Sequence, residues 1–286
     1  MKRLSAAFER RKVLVAYLCV GDPSIDESVD LARACIHSGA DIVELGVPFS
    51  DPTADGPAIA RASQRAIARG GGFAETLRAA TALRTSEEDA GIVLFGYYNP
   101  LFVRGEARAA SEAAAAGADA LLVVDLPIEE SEGLRAAASI HRIGVVPLLA
   151  PTSRPDRIAA VRKAAERSPL PFLYYVSLTG VTGAGVDGSA PPAPDRGLQL
   201  AAARQAGERA AALRDATGIP VVVGFGIDSR EKARAVAMGA DGAVVGTALV
   251  RAVEDGKTAT DRRRAVEKIV RELRAGVDDA GGSAGA

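Results

Sequence analysis

The chain has few of the residues from which metal centres and covalent catalytic sites are built. It contains two cysteines, Cys19 and Cys35, and two histidines, His37 and His141, both in segments predicted to be helical. The cysteines are too few for a disulfide framework and lack the spacing of metal ligands. The histidines exclude a multi-histidine zinc site and disfavour a Ser–His–Asp triad. The sequence therefore predicts that this chain binds no metal ion.

Charge of one sign and long apolar runs are also scarce. The chain has 35 Lys and Arg against 36 Asp and Glu, with no basic stripe carrying interleaved aromatic residues, so nucleic acid is not an expected partner. No apolar run reaches the roughly 18 residues of a membrane span. The N-terminal segment is charged and amphipathic, without the apolar core of a signal peptide. We therefore expect a cytoplasmic protein that does not bind membranes.

What the chain does contain is a regular alternation of apolar runs and helical segments. Eight apolar runs predict β-strands, at residues 13–19, 41–46, 91–97, 120–124, 144–149, 172–176, 220–224 and 242–245. Eight βα units predict the α/β class, as a single (β/α)8 TIM barrel with extra helices over residues 1–277. A Gly/Ala/Ser-rich tail, 278–286, is predicted to be disordered. A doubly wound open sheet is the alternative, but GDPS after the first strand is not its glycine-rich fingerprint.

The helical periodicity of the segments between these runs predicts the helix of each βα unit. After a short N-terminal helix, the predicted helices lie near residues 24–38, 58–69, 106–116, 131–141, 154–166, 198–217, 229–238 and 247–253. Extra helices are predicted at 73–83 and 260–275. Ser24 and Glu27 have the spacing of a capping box at the first of them. The segments SGADIVEL, AGADALLV and MGADGAVV each read as a glycine cap and a turn into a strand, without a role in chemistry.

One stretch, ELGVPFSDPTADGP, places carboxylates where a barrel builds its active site. Glu44 lies inside the second predicted strand, and Asp51 and Asp55 lie in the loop that follows it. Burial would raise the pKa of Glu44 towards the range of a general acid. Pairing of Glu44 with a Lys or Arg inside the barrel is the alternative, since structural ion pairs also shift pKa values. The two aspartates on the adjoining loop favour a catalytic site.

Glycines and aromatic residues recur at the ends of several predicted strands. Gly183, Gly226 and Gly246 allow backbone N–H groups to approach an anion, and Thr247 begins a short helix whose N-terminus favours phosphate. Tight βα turns are the alternative reading of these glycines. Aromatic residues concentrate on the same rim, where a flat ring could bind, although each could also be ordinary core: Tyr17, Phe49, Phe95, Tyr97 and Phe225. Together these features indicate acid–base chemistry on a phosphorylated, partly aromatic molecule.

These motifs resemble one known family. GDP after the first strand, ELGVPFSDPTADGP, YYNPLF, SLTGVTG, GFGI and VGTALV are together similar to the tryptophan synthase alpha chain, over about residues 6–250. The resemblance implies a TIM barrel that cleaves indole-3-glycerol phosphate to indole and glyceraldehyde 3-phosphate, with neither a metal nor an organic cofactor in this chain. It also implies a complex with a beta chain, in an alpha2beta2 assembly, in which pyridoxal phosphate belongs to the beta chain.

The resemblance also implies roles for individual residues. Glu44 matches the general acid/base, Asp55 the second catalytic carboxylate and Tyr174 the active-site tyrosine. Phosphate-binding positions are matched by Gly183, Gly226, Gly246 and Thr247. Positions around the indole pocket are matched by Tyr17, Tyr97 and Phe225.

Loops and partner contacts follow from the same resemblance. Residues 48–55 and 178–196 match the loops that close over substrate, and Thr182 is expected to hydrogen-bond Asp55 on closure. Asn99 and Pro100 are expected near the beta chain. The sixth loop departs from the family in its VDGSAPPAPDRG segment. A stand-alone lyase that releases free indole, a catalytically quiet allosteric barrel and another phosphosugar-barrel enzyme are the alternatives.

Overall fold

A computed structural model describes residues 1–168, 170–177, 195–224 and 226–281. In this part of the chain, one parallel sheet contains β1 (Val13–Cys19), β2 (Ile42–Gly46), β3 (Gly91–Gly96), β4 (Ala120–Val123), β5 (Gly144–Val146), β6 (Leu148–Leu149), β7 (Leu173–Val176), β8 (Val221–Gly224) and β9 (Gly242–Val245). The strand order is β5-β4-β3-β2-β1-β9-β8-β7-β6. The two edge strands are consecutive in sequence, so the chain itself joins the edges. Because β5 and β6 are two halves of one strand position, the predicted (β/α)8 barrel is confirmed.

The fifth predicted strand, residues 144–149, is divided in two by Pro147. Proline has no N–H to donate to a ladder. Its carbonyl still accepts the Tyr174 N–H at 3.0 Å. Among the described residues, β5 therefore pairs only with β4, and β6 only with β7.

The described helices are α1 (Lys2–Arg10), α2 (Ile25–His37), α3 (Pro57–Ile67), α4 (Phe73–Ser86), α5 (Tyr98–Arg104), α6 (Glu106–Ala115), α7 (Glu132–Ile140), α8 (Pro155–Arg167), α9 (Arg196–Thr217), α10 (Arg230–Ala237), α11 (Thr247–Asp255) and α12 (Ala259–Gly281). The Ser24 side chain caps α2 by accepting the Glu27 N–H at 3.2 Å, as predicted. The Glu27 carboxylate does not complete a capping box, because it binds Arg262 instead.

Eight helices form the outer layer: α2, α4, α6, α7, α8, α9, α10 and α12. The extra helix after β2 is thus α3 rather than the predicted 73–83 segment, because α4 contacts α2 and α6 while α3 contacts β1 and α11. The helix α5 was not predicted, since YYNPLF was interpreted only as a loop motif. Its first N–H, that of Tyr98, is bound at 2.7 Å by Asp125 from the next βα connection. Such a tertiary cap leaves no local signal in the sequence.

Side chains alternate along the strands between the barrel interior and the helical layer. The interior cluster includes Val13, Val15, Ile42, Val93, Leu122, Phe172 and Val222. Leu4 of α1 belongs to this cluster and is fully buried, so α1 closes the N-terminal end of the barrel. The intervening residues, such as Leu14, Val43 and Leu45, pack against the helices.

The three Gly-Ala-Asp segments do more than cap helices. Each aspartate accepts an N–H from the neighbouring strand: Asp41 from Leu14 at 2.9 Å, Asp119 from Ile92 at 3.1 Å and Asp241 from Val221 at 2.8 Å. Each also pairs with an arginine of the helical layer, namely Arg274, Arg84 and Arg214 respectively. These bonds tie strands to helices at the N-terminal face of the barrel, where barrels of this kind place stabilising residues.

The C-terminal end differs from the predicted tail. Residues 278–281 are helical, because α12 continues past its buried Val277 and Asp279 pairs with Arg230 at 2.9 Å. Residues 282–286 lie outside the described part. No described helix combines the length and apolarity needed to cross a membrane.

We expect Asp41→Ala to lower the free energy of unfolding by at least about 2 kcal/mol, because three arginines and the Leu14 N–H lose a buried anionic partner. Urea denaturation measures this change. Asp156→Asn is the control, since Asp156 forms an exposed pair with Arg154 and should change stability by no more than about 0.5 kcal/mol. Equal, small effects of the two substitutions would contradict the assigned role of Asp41.

Candidate active site

Glu44 is a carboxyl group buried inside the barrel without a partner. It lies in β2 beside Tyr17 of β1 and is 1% exposed. Neither carboxyl oxygen has a hydrogen-bond partner among the described residues. The alternative of a Lys or Arg pair with Glu44 is therefore not found in this part of the chain. Burial raises the pKa of Glu44 to about 8, so the group is mainly protonated at pH 7.

Asp55 has a different environment in the loop that follows β2. The Tyr97 hydroxyl donates to its Oδ2 at 3.1 Å and accepts the Ala54 N–H at 3.0 Å. Burial raises the pKa of Asp55 to about 6, and the hydrogen bond from Tyr97 opposes that rise. Asp55 is therefore mainly ionised at pH 7 while Glu44 is mainly neutral. Two carboxyls with separated pKa values are the usual basis of an acid/base assignment.

Two buried tyrosines complete this arrangement. Burial, then nearby charges that include Glu44 and Asp55, raises the pKa of Tyr17 and of Tyr174 well above the usual tyrosine value. Each tyrosine ring packs against a strand glycine, where a larger residue would overlap the ring. A Cβ on Gly46 would lie 2.4 Å from the Tyr17 hydroxyl, and one on Gly224 would lie 2.0 Å from that of Tyr174. The structure thus brings both carboxyls and both tyrosines to one end of the barrel.

Aromatic rings line the same end. Tyr17 meets Phe95 edge-on, with ring centroids 5.0 Å apart. Phe49 stacks on Tyr97 at 4.9 Å. These contacts hold the rings in fixed orientations around the carboxyls.

The predicted phosphate-binding positions lie partly in the described chain. Thr247 is the first residue of α11, and Gly246 before it contributes no side-chain cap. A Cβ on Gly246 would lie 3.5 Å from the Tyr17 ring. The N-terminus of α11, with its backbone N–H groups, therefore lies beside this tyrosine. Gly226 has a φ of +70°, a backbone conformation that favours glycine. Thr182, Gly183 and Phe225 lie outside the described residues.

Two features of this site were missed in the sequence. The hydrogen bond between Tyr97 and Asp55 was not predicted, because Tyr97 was assigned only to the ring pocket. The placement of α3 and α11 over the mouth was also missed. Its one sequence signal is the alanine spacing at 58, 62 and 66, which marks a flat helical face. In the described residues, no three His, Cys, Asp or Glu side chains gather as metal ligands.

Comparison with known proteins agrees with this geometry. The family model described as "Tryptophan synthase alpha chain" matches residues 4–278. The chain belongs to the tryptophan synthase alpha chain family. It is 40% identical over 283 residues to the tryptophan synthase alpha chain of Xylella fastidiosa strain M12, covering 97% of this chain and 99% of the relative. It is also 40% identical over 270 residues to that of Xanthomonas oryzae pv. oryzae strain MAFF 311018, covering 94% of each.

Solved structures of tryptophan synthase resemble the chain throughout. The alpha subunit from Legionella pneumophila str. Paris matches with a TM-score of 0.82 and 32% identity, over 98% of this chain and 99% of that one. A chain of Mycobacterium tuberculosis tryptophan synthase matches with a TM-score of 0.79 and 35% identity, over 96% of this chain and 98% of that one. The family resemblance predicted from the motifs is confirmed.

The raised pKa of Glu44 predicts a pH-dependent gain of stability on its replacement. An unfolded glutamate loses its proton near pH 4.5, whereas folded Glu44 keeps it until about pH 8. The folded state is therefore penalised as pH rises through this window. Glu44→Gln should match the wild type at pH 4 and exceed its free energy of unfolding by at least about 2 kcal/mol at pH 9.

Urea denaturation at both pH values measures this difference. Glu166→Gln, at an exposed position of α8, is the control and should show no such pH dependence. A constant difference between the Glu44 variant and the wild type across this range would show that Glu44 is not buried without a partner.

Proposed function

We propose that this chain cleaves indole-3-glycerol phosphate to indole and glyceraldehyde 3-phosphate by a retro-aldol reaction, as the alpha subunit of tryptophan synthase in tryptophan biosynthesis. This lyase reaction is that of the family to which the chain belongs. The observation that carries the proposal is the neutral Glu44 and the ionised Asp55 at one end of the barrel. The reaction needs a proton donor and an anion at the same time.

Glu44 acts as the general acid. It donates its proton to C3 of the indole ring, and the ring becomes a leaving group with a cationic nitrogen. The C3–C3′ bond then breaks, and its electron pair returns to the ring. The Glu44 carboxylate takes the proton of the side-chain hydroxyl, directly or through water, as the aldehyde carbonyl forms. A positioned acid or base of this kind typically contributes about 10²- to 10⁴-fold in rate.

Asp55 stabilises the positive charge that develops on the ring nitrogen. The Tyr97 hydroxyl donates a hydrogen bond to Oδ2 of Asp55, which fixes the orientation of the carboxylate. Tyr17, Tyr97 and Tyr174 form the walls of the ring pocket. The start of α11, at Gly246 and Thr247, takes the phosphate, because free N–H groups and the helix dipole favour an anion there.

The partner that this function implies is a tryptophan synthase beta chain, which would hold the pyridoxal phosphate of a cytoplasmic alpha2beta2 complex. The helix α5 supports this assignment, because Phe102 is 63% exposed and Val103 is 77% exposed. Exposed apolar neighbours of this kind favour protein contact. The helix begins directly after Tyr97, so a partner seated on it would lie next to Asp55.

A stand-alone lyase and a catalytically quiet barrel remain the competing functions. The neutral and ionised carboxyl pair favours an active enzyme over a quiet barrel. Assay of the purified chain with and without a beta chain separates the other two. Large stimulation indicates the subunit, and fast turnover alone indicates the stand-alone lyase.

We expect Asp55→Asn to lower kcat for indole release by at least about 10³-fold, because an amide cannot offset the ring charge. Wild-type activity should fall below about pH 6, where Asp55 takes up a proton. Stopped assays of indole, with thermal unfolding to establish that the variant is folded, measure both effects. Asp156→Asn, at an exposed position, should be fully active. Substantial turnover by folded Asp55→Asn would overturn the role of this carboxylate.

A substitution on α5 tests the partner surface. Phe102→Ser combined with Val103→Asp should leave the activity of the isolated chain within about twofold and weaken stimulation by a beta chain at least about tenfold, because truncation of exposed apolar anchors at an interface is costly. Titration of the beta chain measures the effect. Ile140→Asp alters a side chain that is also 77% exposed, on α7, and should have no effect. Equal stimulation of all three proteins would exclude α5 from the interface.

A further inference from the structure

Two helices, α3 and α11, lie over the mouth of the barrel outside the helical layer. Their buried faces meet inward-facing residues of β1 in one cluster. This cluster contains Ala58, Ala62 and Ala66 of α3, Val250 of α11, and Tyr17 and Cys19. Alanine side chains are short and form shallow ridges, so apolar packing alone specifies the position of α3 poorly.

A group of ion pairs fixes the position of α3, which the alanine packing alone does not specify. Arg65 of α3 binds both oxygens of Asp22, in the loop after β1, at 2.9 and 2.7 Å. Its third donor binds Glu254 of α11 at 2.8 Å. Arg61 binds both oxygens of Glu254 at 2.8 and 2.7 Å. We call these four residues the mouth clamp. The clamp joins α3 to α11 and to the loop after β1.

The two carboxylates of the clamp both depend on its arginines. Asp22 is 5% exposed, so its carboxylate depends on Arg65. Hydrogen bonds from Arg61, with the nearby charge of Arg65, lower the pKa of Glu254 to about 2. Glu254 is therefore ionised at any pH at which the enzyme would be assayed.

The two helices carry the two ends of the proposed active site. Asp55 comes two residues before Pro57, the first residue of α3. Thr247 is the first residue of α11. The Cys19 thiol of β1 contacts the Ser63 hydroxyl of α3 at 3.9 Å, within the same cluster as the α3 alanines. The position of α3 relative to α11 therefore sets the distance between the catalytic carboxylate and the phosphate site.

We propose that Arg65 is a positioning residue, which fixes Asp55 relative to the phosphate-binding start of α11 by joining α3, α11 and the loop after β1. This role rests on the proposed function. A lysine cannot replace it, because one ammonium group cannot bind both oxygens of Asp22 and also reach Glu254 in the fork geometry of a guanidinium. A displacement of about 1 Å at a catalytic group costs about 10²-fold in rate.

The test compares wild type, Arg65→Gln, Arg65→Lys and Glu254→Gln in steady-state cleavage of indole-3-glycerol phosphate, together with thermal unfolding and inhibition by glycerol 3-phosphate. Arg84→Gln is the matched control, because it removes an arginine from buried Asp119 at the opposite face of the barrel. It should lower thermal stability and leave kcat within about twofold, since Asp119 is far from the reacting groups.

Arg65→Gln should lower kcat about 10²-fold, while inhibition by glycerol 3-phosphate changes less than about threefold, since α11 keeps its free N–H groups. Arg65→Lys should recover thermal stability and remain at least about tenfold slow. Glu254→Gln keeps the ion pair between Arg65 and Asp22 and weakens only the connection between α3 and α11. It should lower kcat about tenfold at nearly unchanged stability.

Three results would overturn the role of Arg65. One is a kcat of Arg65→Gln within about twofold of the wild type. Another is a kcat of Arg65→Lys that recovers together with thermal stability, which indicates a purely structural residue. If Arg65→Gln does not fold, an unchanged kcat of Glu254→Gln contradicts the proposal. Failure of the wild-type chain to cleave the substrate, alone and with a beta chain, is a different result and rejects the proposed function.

Discussion

The burial of one carboxyl group, Glu44, without a hydrogen-bond partner is the constraint on which the rest of the site depends. A buried carboxylate that finds no partner is unstable, so the group keeps its proton. In the proposed reaction, this protonated group is the proton donor at neutral pH. Glu44 is buried beside Tyr17, whose ring packs against Phe95, and the barrel interior is an apolar cluster. A basic residue paired with Glu44 would stabilise its ionised form and remove the proposed general acid.

The carboxyl side chains at the two ends of the barrel have opposite environments. At the N-terminal face, Asp41, Asp119 and Asp241 are each neutralised by an arginine and by a strand N–H. At the C-terminal mouth, Glu44 has no partner among the described residues and Asp55 has a tyrosine hydroxyl. The first arrangement stabilises the fold, and the second leaves acidic groups free to react. The stability of one face allows the unfavourable groups of the other.

Much of the fold and the candidate carboxyls could be predicted from the sequence, because both depend on local patterns. Strand periodicity predicted the barrel, and the position of Glu44 in a strand that continues into an aspartate-rich loop indicated Glu44, Asp51 and Asp55 as candidates. The choice of Asp55 rests on the family resemblance and stays a prediction. Other features depend on contacts between distant segments. The cap of α5 comes from Asp125, and the partners of the Gly-Ala-Asp aspartates lie in other helices. Whether α3 or α4 belongs to the outer layer likewise depends on which helices each one contacts, and local periodicity does not encode those contacts.

The break at Pro147 has a consequence for the wall beside Tyr174. The first half of the divided strand, β5, pairs with β4 and the second half, β6, pairs with β7, so among the described residues neither half has a ladder on both sides. β6 contributes only Leu148 and Leu149, the first of them opposite Tyr174. The barrel thus has a staggered seam next to its reactive end. The wall opposite Tyr174 is therefore bonded through the β6–β7 ladder alone among the described residues, whereas β1, β2 and β3 are each bonded on both sides.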